Sequence, residues 1–338
     1  MAMTIYDISK KAGVSIATVS RVLNGSENVR PSTRKKVMDV IDKYDYTPNA
    51  FARGMGLHSL KTIGILCADS SDLFLAKAVY FLEQELQANG YESLLCCTGY
   101  NLDIKKNYLN LILSKKVDSI ILVGSHFIGF NEDENQYIKD VSTQVPIMLL
   151  NASFDHPNVY STLCDDYGTM FEAATEMIQS GITDILYLYD SKSYSGLKKL
   201  HGFCDAMKEY NIPGFEKLIH FYDGNIEHLN EVADFVARIA TKGTSFHGIM
   251  TSDDSLAIGS IKYAQKKGIR IPEELSVMGY NNSMLTNCCT PELTSVDNRL
   301  ETQTHQLVQT LLGVLAGEEM PKKSIFSGKI IKRGTTLF

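Results

Sequence analysis

The sequence predicts an α/β protein with a small helical N-terminal unit followed by two Rossmann-like lobes. From residue 62 onward, short apolar segments alternate with amphipathic ones, which is typical of parallel sheets covered on both faces by helices. The chain has 338 residues, enough for a small unit and two such lobes. Charge divides the chain in the same way, because residues 1–61 hold ten Lys and Arg against five Asp and Glu, and the rest holds 23 against 34.

The first helix of the N-terminal unit is expected to start near Ile5. Thr4 and Asp7 fit a capping box, a hydroxyl followed three residues later by a carboxylate. Ile5, Ile8 and Ala12 then fall on one helical face. A tight turn follows the first helix, so a helical hairpin is predicted.

Gly13 permits this turn, and Ser15 can cap the second helix. A third helix is expected from Pro31 to about Tyr44, burying Val37, Val40, Ile41 and Tyr44. In the second helix, one face is expected to pack on the core and contains Ile16, Val19, Val22 and Leu23. The opposite face is short and polar and contains Ala17, Thr18, Ser20, Arg21 and Asn24.

This polar face suits a helix that enters the major groove of DNA. Its short side chains let the backbone approach base edges, and Arg21 can reach a guanine or a phosphate. The basic charge of residues 1–61 favours contact with phosphate, whereas the acidic remainder disfavours it. The alternative is an ordinary amphipathic helical hairpin.

The body is predicted to contain seven strands and seven helices. Strands are expected at 63–67, 93–97, 119–123, 146–150, 185–189, 248–251 and 276–280, and helices near 73–89, 103–116, 165–180, 196–210, 227–241, 254–267 and 299–316. In such sheets ligands bind beyond the carboxyl ends of the strands. The loops at those ends begin at Ala68, Thr98, Gly124, Asn151, Asp190, Ser252 and Asn281. A cleft between two lobes would gather these loops around one ligand.

Composition limits the compartment and the chemistry. No stretch reaches about 18 consecutive apolar residues, and the N-terminus lacks a secretory signature, so we expect a cytoplasmic protein without membrane contact. The seven cysteines show no C-x-x-C spacing, and free thiols in a reducing cytosol are the simplest interpretation. The vicinal pairs Cys96-Cys97 and Cys288-Cys289 leave redox sensing as an alternative. The histidines form no metal-like cluster, and neither a metal nor a cofactor is expected.

Three segments together resemble the headpiece of the LacI/GalR family of bacterial transcription regulators. They are residues 4–25, the run Val29-Arg30-Pro31-Ser32-Thr33-Arg34 and the run from Tyr46 to Arg53. The resemblance extends over nearly the whole chain. It implies a helix-turn-helix, three-helix headpiece at 1–48, a hinge at 49–61, and a two-lobed effector-binding and dimerisation domain of periplasmic-binding-protein type at 62–338.

The resemblance also implies roles in DNA binding. It gives base-reading roles to Ile16, Ala17, Thr18 and Arg21, although the helical pattern alone assigns Ile16 to the core. Contacts near phosphates, which position a protein without reading sequence, are implied for Tyr6, Ser20, Asn24, Asn28 and Asn49. Ser15, Arg53 and Met55 complete the expected DNA-binding set. Ala17, Thr18 and Arg21 together resemble members that read sites with a central C-G step.

In this family the hinge folds into a short helix on operator DNA and wedges a leucine into the minor groove. Met55 occupies that position here, and methionine can serve as an apolar wedge. Gly54 and Gly56 on either side depart from the usual sequence. A flexible linker with a stray methionine is the alternative.

The effector site implied by the resemblance lies in the loops that follow the strands. Its residues are Ser71, Phe74, Ser125, Asn151, Ser193, Ser195, Lys199, Asp253 and Asn281. Relatives often have aspartate at 151 and 281 and arginine at 199. Lysine is a point charge without the planar fork of arginine, and asparagine both donates and accepts hydrogen bonds, which suits hydroxyl-rich ligands.

We therefore expect a sugar or sugar phosphate as effector. A nucleobase or nucleoside, or a phosphoprotein effector, is the alternative. Ser193 and Ser195 fill positions that contact purine in purine-binding members, but 193 lacks their arginine. We also expect a homodimer that reads a pseudo-palindromic operator, because one headpiece reads only half of such a site.

Two other classes of protein fit less well. An α/β enzyme is disfavoured because the chain lacks Gly-x-Ser-x-Gly and the phosphate-binding Gly-x-x-x-x-Gly-Lys-Ser/Thr motif. The acid pairs Asp165-Asp166 and Asp253-Asp254 are adjacent residues, which usually diverge. A solute-binding protein is disfavoured by the headpiece and by the absence of an export signal.

Replacing Gly54 with alanine should tighten operator binding. Each glycine lowers helix stability by about 1 kcal/mol relative to alanine, so a hinge with two glycines is costly to order. The measurement is a titration of operator duplex with the Gly54→Ala variant and the wild type. Unchanged or weaker binding by the variant would contradict this view of the hinge.

Overall fold

The computed structural model describes residues 3–23, 26, 28–44, 46, 59–241 and 243–338. The expectations for Asn24, Asn49, Arg53 and Met55 lie outside these residues, as does the predicted hinge up to residue 58. Those expectations therefore remain predictions.

The N-terminal unit is a bundle of three helices: α1 Ile5–Ala12, α2 Ile16–Leu23 and α3 Pro31–Lys43. Thr4 and Asp7 form the predicted capping box, and Gly13 adopts the left-handed conformation (φ 65°) that the turn requires. The buried apolar side chains of this unit are Ile8, Val19, Val22, Val29, Val37, Ile41 and Tyr46.

Two expectations about this core are wrong. Ile16 is 39% exposed, because it is the first residue of α2 and lies outside the contact of α2 with its neighbours. Tyr44 is also 39% exposed and follows the last residue of α3. Tyr46 is buried instead, since the chain turns back after α3 and the Tyr46 amide donates to the carbonyl oxygen of Ile41.

The body consists of alternating strands and helices. In chain order they are β1 Thr62–Cys67, α4 Leu73–Ala88, β2 Glu92–Cys97, α5 Leu102–Ser114, β3 Ser119–Val123, α6 Glu132–Ser142, β4 Ile147–Leu150, β5 Val159–Cys164, α7 Asp166–Gln179, β6 Ile185–Tyr189, α8 Tyr194–Glu209, β7 Ile219–Phe221, α9 Leu229–Thr241, β8 Gly248–Thr251, α10 Asp254–Lys267, β9 Ser276–Tyr280, β10 Thr294–Asp297, α11 Leu300–Leu315, β11 Lys323–Phe326 and β12 Lys329–Ile331. The seven predicted strands and seven predicted body helices are all present.

The strands form two six-stranded sheets, one in each lobe. The order is β11-β5-β4-β3-β1-β2 in the first sheet and β12-β10-β9-β8-β6-β7 in the second. The strand pairs are parallel, except that β12 pairs antiparallel with β10. The chain passes between the lobes three times: between β5 and α7, between β10 and α11, and between β11 and β12. Apolar side chains pack on both faces of each sheet, as the alternation predicts.

No helix in the part of the chain that the structure describes is both long enough and apolar enough to cross a bilayer.

Helices α7 and α8 pack closely, and this contact positions residues at the amino end of α8. Gly202 on α8 lies against the backbone of α7, where a Cβ atom would overlap the carbonyl oxygen of Tyr167 and lie 3.2 Å from the Phe171 nitrogen. Backbone atoms cannot rotate away as a flexible side chain can, so only glycine fits here.

The Gly202→Ala variant should lower the free energy of unfolding by about 3 kcal/mol, because the helices must move apart in a close-packed interior. Gly317→Ala is the control. Its Cβ would meet open space, and the left-handed backbone alone should cost about 1 kcal/mol. Urea unfolding of both variants measures the difference, and equal losses would contradict the packing argument.

Candidate functional site

A cleft lies between the two lobes at the carboxyl ends of their central strands. It has an outer cavity of about 620 Å³ and an inner chamber of about 90 Å³. Side chains from both lobes line both parts. The residues common to the two are Asp72, Tyr100, His126, Asp190, Ser191, Ile226 and Asp253.

Eight of the nine residues predicted to bind an effector line the inner chamber. They are Phe74, Ser125, Asn151, Ser193, Ser195, Lys199, Asp253 and Asn281. Ser71 does not. It is exposed, and its amide and hydroxyl both donate to Asp69 Oδ1 at 2.8 Å. This turn places Asp69 and Asp72 in the cleft lining in place of Ser71.

A hydrogen bond joins the two lobes across the inner chamber. Ser125 follows β3 in the first lobe, and Ser193 caps α8 in the second. The Ser125 hydroxyl donates to Ser193 Oγ at 2.8 Å, and both residues are buried. The lobes are therefore in direct contact, and the cleft is closed at its inner end.

Lys199 is buried and its ammonium group is already engaged. Nζ donates to the carbonyl oxygen of Ser252 at 3.0 Å and lies 3.9 Å from the centre of the Tyr280 ring. These contacts spread the positive charge over a carbonyl and an aromatic face. Lys199 therefore supports the floor of the chamber as well as lining it.

The two asparagines occupy turns with left-handed backbone. The φ angle is 65° at Asn151 and 96° at Asn281, and asparagine adopts such angles more readily than most residues. Asn281 Nδ2 donates to Asp253 Oδ2 at 2.8 Å, and Asn298 Nδ2 donates to Asn281 Oδ1 at 3.0 Å. This chain of amides holds the Asp253 carboxylate in place, and Asp253 also caps α10 by accepting from the Ser255 amide at 2.7 Å.

Asp166 anchors a buried network beneath the chamber that the sequence analysis missed. Its carboxyl group accepts hydrogen bonds from Ser195 Oγ at 2.5 Å and from the Tyr280 hydroxyl at 2.7 Å. Burial raises the pKa of Asp166, and nearby Lys199 opposes that rise. Asp165 points away and caps α7 instead, accepting from the Gly168 amide at 3.0 Å, so these two adjacent acids do not act as a pair.

Other functional candidates that the sequence analysis did not select are Asp72, Tyr100, His126 and Asp190. Each follows the carboxyl end of a strand closely, and this position was the available signal. Tyr100 and His126 pack edge to face with ring centroids 4.8 Å apart. Ser252 Oγ donates to Asp190 Oδ1 at 2.7 Å.

The electrostatics of the cleft are dominated by burial and by like charges. Burial, with a smaller contribution from the carboxylates of Asp253 and Asp190 in the opposite lobe, raises the pKa of Asp72 to about 6. Burial likewise raises the pKa of Tyr100 to about 12, with Asp72 adding to the effect. Burial lowers the pKa of His126 to about 4, and Lys105 contributes. His126 is therefore uncharged at neutral pH.

The outer face of α2 carries the side chains predicted to contact DNA. Ser15, Ile16, Ala17 and Arg21 are exposed, and Thr18 and Ser20 are half-buried. The Thr18 amide donates to Ser15 Oγ at 3.2 Å, so Ser15 caps α2 as predicted. Tyr6 on α1 is 67% exposed, and Asn28 is exposed after α2. With Ile16 outside the core, the base-reading role implied for it is sterically available.

Among the described residues, no group of three or more His, Cys, Asp or Glu side chains is arranged to hold a metal ion.

Replacing Asp72 with asparagine should stabilise the protein above pH 6 and have little effect near pH 4. The pKa of Asp72 rises from 3.8 to about 6 on folding, so ionisation of this group opposes folding as the pH rises through that interval. The shift corresponds to about 2 to 3 kcal/mol. Asparagine still caps α4, so the cap itself is retained.

Thermal unfolding between pH 4 and 8 measures this effect. Asp165→Asn, at a cap exposed to solvent, is the control for the exchange of aspartate for asparagine. A gain in the Asp72 variant that does not depend on pH would contradict the argument.

Comparisons with known proteins agree with both parts of this architecture. Residues 4–49 match bacterial regulatory proteins of the lacI family, and residues 174–336 match a periplasmic binding protein-like domain. The chain is 50% identical over 336 residues to an HTH-type transcriptional regulator of Lachnoclostridium phytofermentans, covering 99% of this chain and 100% of that protein. It is 33% identical over 303 residues to catabolite control protein A of Priestia megaterium, covering 88% and 87%.

Two solved structures show the same fold. The lac repressor dimer bound to operator and the anti-inducer ONPF has a TM-score of 0.89 at 20% identity, covering 100% of both chains. The complex of the transcriptional regulator CelR with cellobiose has a TM-score of 0.71 at 20% identity, covering 98% and 99%. The chain therefore belongs to the lacI family of bacterial regulatory proteins, which are DNA-binding transcription regulators with an effector-binding domain.

Proposed function

We propose that this regulator is a homodimeric repressor whose operator affinity is set by an uncharged carbohydrate bound between its lobes. The observation that carries the proposal is the convergence of eight predicted ligand positions, from both lobes, on one chamber at the inner end of the cleft. A ligand there touches both lobes at once, so its binding favours one arrangement of the lobes over another.

A carbohydrate suits the chemistry of the cleft. Asp253, Asn151 and Asn281 offer the carboxylate and amide groups that pair with hydroxyls. Phe74, at the start of α4, and Tyr100, which is 55% exposed, offer ring faces for stacking against a sugar. The CelR structure contains cellobiose in a protein of the same fold, which adds support for a sugar.

The charge of the cleft favours an uncharged sugar over a sugar phosphate. Among the described residues that line the outer cavity and inner chamber, Lys199 provides the only ammonium group. The carboxyl groups number five: Asp69, Asp72, Asp190, Glu227 and Asp253. At an effective dielectric constant of 20, two like charges 5 Å apart repel by about 3 kcal/mol. A phosphate dianion would meet several such repulsions.

The proposed mechanism is a linkage between cleft closure and DNA binding. The chain passes between the lobes three times, so closure rotates one lobe against the other about these crossings. In a dimer, this rotation changes the separation of the two segments that lead to the headpieces. Effector binding then favours or disfavours simultaneous contact of both headpieces with a two-fold-related operator. We place this activity in the cytoplasm, where the operator DNA is.

The Arg21→Ala variant should lose specific operator binding while its effector affinity stays unchanged. A well-placed arginine contributes about 1 to 3 kcal/mol of discrimination between bases, and a homodimer loses this contact in both half-sites, so operator affinity should fall by at least about 30-fold. The measurement is gel retardation of an inverted-repeat duplex selected from a random pool, at two salt concentrations. Lys115→Ala, which removes an exposed positive charge from the body, is the control. Normal retention of the operator by the Arg21 variant would refute the role of this residue.

A thermal-shift panel of matched ligands tests the uncharged carbohydrate. Each neutral mono- or disaccharide is paired with its phosphate ester. Any neutral sugar that raises the midpoint temperature of unfolding should bind at least 30-fold more tightly than its ester. Asp190→Asn should reduce this ratio because one repelling carboxylate is removed. Tighter binding of the phosphorylated partner would overturn the proposal for the ligand and leave the DNA-binding function untouched.

A further inference from the structure

Two cysteines lie in contact at the carboxyl ends of two neighbouring strands of the first sheet. Cys67 ends β1, Cys97 ends β2, and the two residues are direct partners in the register of these parallel strands. Their Sγ atoms are 3.8 Å apart. Both thiols are free, and the cleft chemistry described above does not use them.

The backbone geometry around this pair suits a disulfide. Neighbouring strands lie about 4.8 Å apart, which falls within the range of about 4.4 to 6.8 Å seen between the Cα atoms of bridged cysteines. The strands stay paired just beyond the cysteines, because the Thr98 amide donates to the Cys67 carbonyl oxygen at 2.9 Å. Closing the Sγ–Sγ distance to about 2.05 Å therefore requires only side-chain rotation and small adjustments.

We infer that Cys67 and Cys97 form a reversible disulfide when the protein meets a hydroperoxide. The two thiols differ in access, because Cys97 is exposed and Cys67 is buried. Cys97 therefore reacts with the oxidant first, and the buried Cys67 then forms the disulfide with it. Cys96 lies next in sequence, but successive side chains of a strand point to opposite faces, and Cys96 packs on the other face of the sheet.

The reaction balances in two steps. The Cys97 sulfur attacks the peroxide, the O–O bond breaks, and the products are a sulfenic acid and water, with sulfur oxidised by two electrons. The Cys67 thiolate then attacks the Cys97 sulfur, the S–S bond forms, the S–O bond breaks, and hydroxide leaves as water with the proton from Cys67. Two thiols and one hydrogen peroxide thus give one disulfide and two waters.

The contact between the thiols makes the second step feasible. Burial and the neighbouring Cys97 raise the pKa of Cys67 to about 12, so little thiolate is present at neutral pH. Two groups held in contact react with effective concentrations of about 10⁵ M or more, which offsets this deficit. Once Cys97 has been oxidised, its thiol also no longer opposes ionisation of Cys67.

A disulfide here would join the bases of two cleft loops. The loop after β1 carries Asp69 and Asp72, and the loop after β2 carries Tyr100, all of which line the outer cavity. The bond draws the two sulfur atoms together by more than 1 Å at the point where both loops begin. Oxidation therefore acts on the wall of the effector cleft.

Mass spectrometry of the full-length protein tests the inference. The protein is treated with hydrogen peroxide, remaining thiols are alkylated under denaturing conditions, and the digest is analysed without reduction. We expect a linked peptide pair containing Cys67 and Cys97 that disappears after dithiothreitol. A fully alkylated Cys67, with Cys97 linked to Cys96 or oxidised to a sulfinic acid, would overturn the inference.

Two matched variants test which of the adjacent cysteines, Cys96 or Cys97, forms the cross-link with Cys67. Cys97→Ser should leave Cys67 alkylated after peroxide, whereas Cys96→Ser should retain the cross-link because its side chain faces away. Equal loss of the linked peptide in both variants would contradict the assignment. Cysteine 97 is exposed, so its replacement by serine does not disturb the core.

Discussion

The approach of carboxylates from opposite lobes is the constraint on which the arrangement of the cleft depends. Asp72 belongs to the first lobe, and Asp190 and Asp253 belong to the second. Closure of the cleft removes these groups from water and brings like charges together, and both effects oppose ionisation. The Ser125–Ser193 hydrogen bond holds the lobes together at the inner end, but one neutral hydrogen bond contributes only about 1 kcal/mol. A ligand whose hydroxyl groups donate to these carboxylates would stabilise the closed arrangement.

This constraint explains why the polar residues of the cleft are so extensively connected. Asp253 is held by Asn281, and Asn281 is held by Asn298. Asp166 holds Ser195 and Tyr280, and the Tyr280 ring in turn supports the Lys199 ammonium. Buried polar groups are costly unless they are paired. These networks therefore fix the floor of the chamber, so that an incoming ligand meets groups that are already oriented.

The headpiece is organised around its own small apolar core. This core packs on the inner face of α2, and the outer face of α2 carries short side chains and Arg21. Positive charge is concentrated in this part of the chain, whereas negative charge is concentrated in the body. The opposite charges of the two parts keep the body away from DNA phosphates while the headpiece approaches them. In the proposed mechanism, recognition of DNA and recognition of effector therefore use different residues and are linked through the arrangement of the lobes.

The sequence alone predicted those strands whose apolar pattern follows from burial on both faces of a sheet. Central strands such as β3 and β8 are continuous apolar runs, buried on both faces, and all were predicted. Of the missed strands, β5, β10 and β11 carry Ser, Thr or Lys and β7 has only three residues, and the missed helix α6 is rich in Asp, Glu and Asn, so their patterns are weak. In the cleft, eight of the nine residues implied by the family resemblance line the chamber wall, and their role in effector binding stays a prediction. Ser71 does not line the chamber, because its amide and hydroxyl donate to Asp69 in a turn that directs Ser71 away from it.

Contacts between side chains from distant segments were the least predictable features of the structure. Nothing in the local sequence shows that Lys199 donates to Ser252, that Ser125 meets Ser193, or that Cys67 meets Cys97, since each contact joins segments distant in the chain. Ile16 illustrates the same point at short range, because its position at the start of α2 removes it from a core that helical periodicity alone would assign to it.

The most direct test of the central claim is the effector affinity of the protein measured with and without saturating operator. Linkage requires that operator change the effector dissociation constant by the same factor by which effector changes the operator dissociation constant. We expect two equal factors that differ clearly from one, whether the effector strengthens or weakens operator binding. An effector that binds in the cleft with the same affinity in the presence and absence of operator would contradict it.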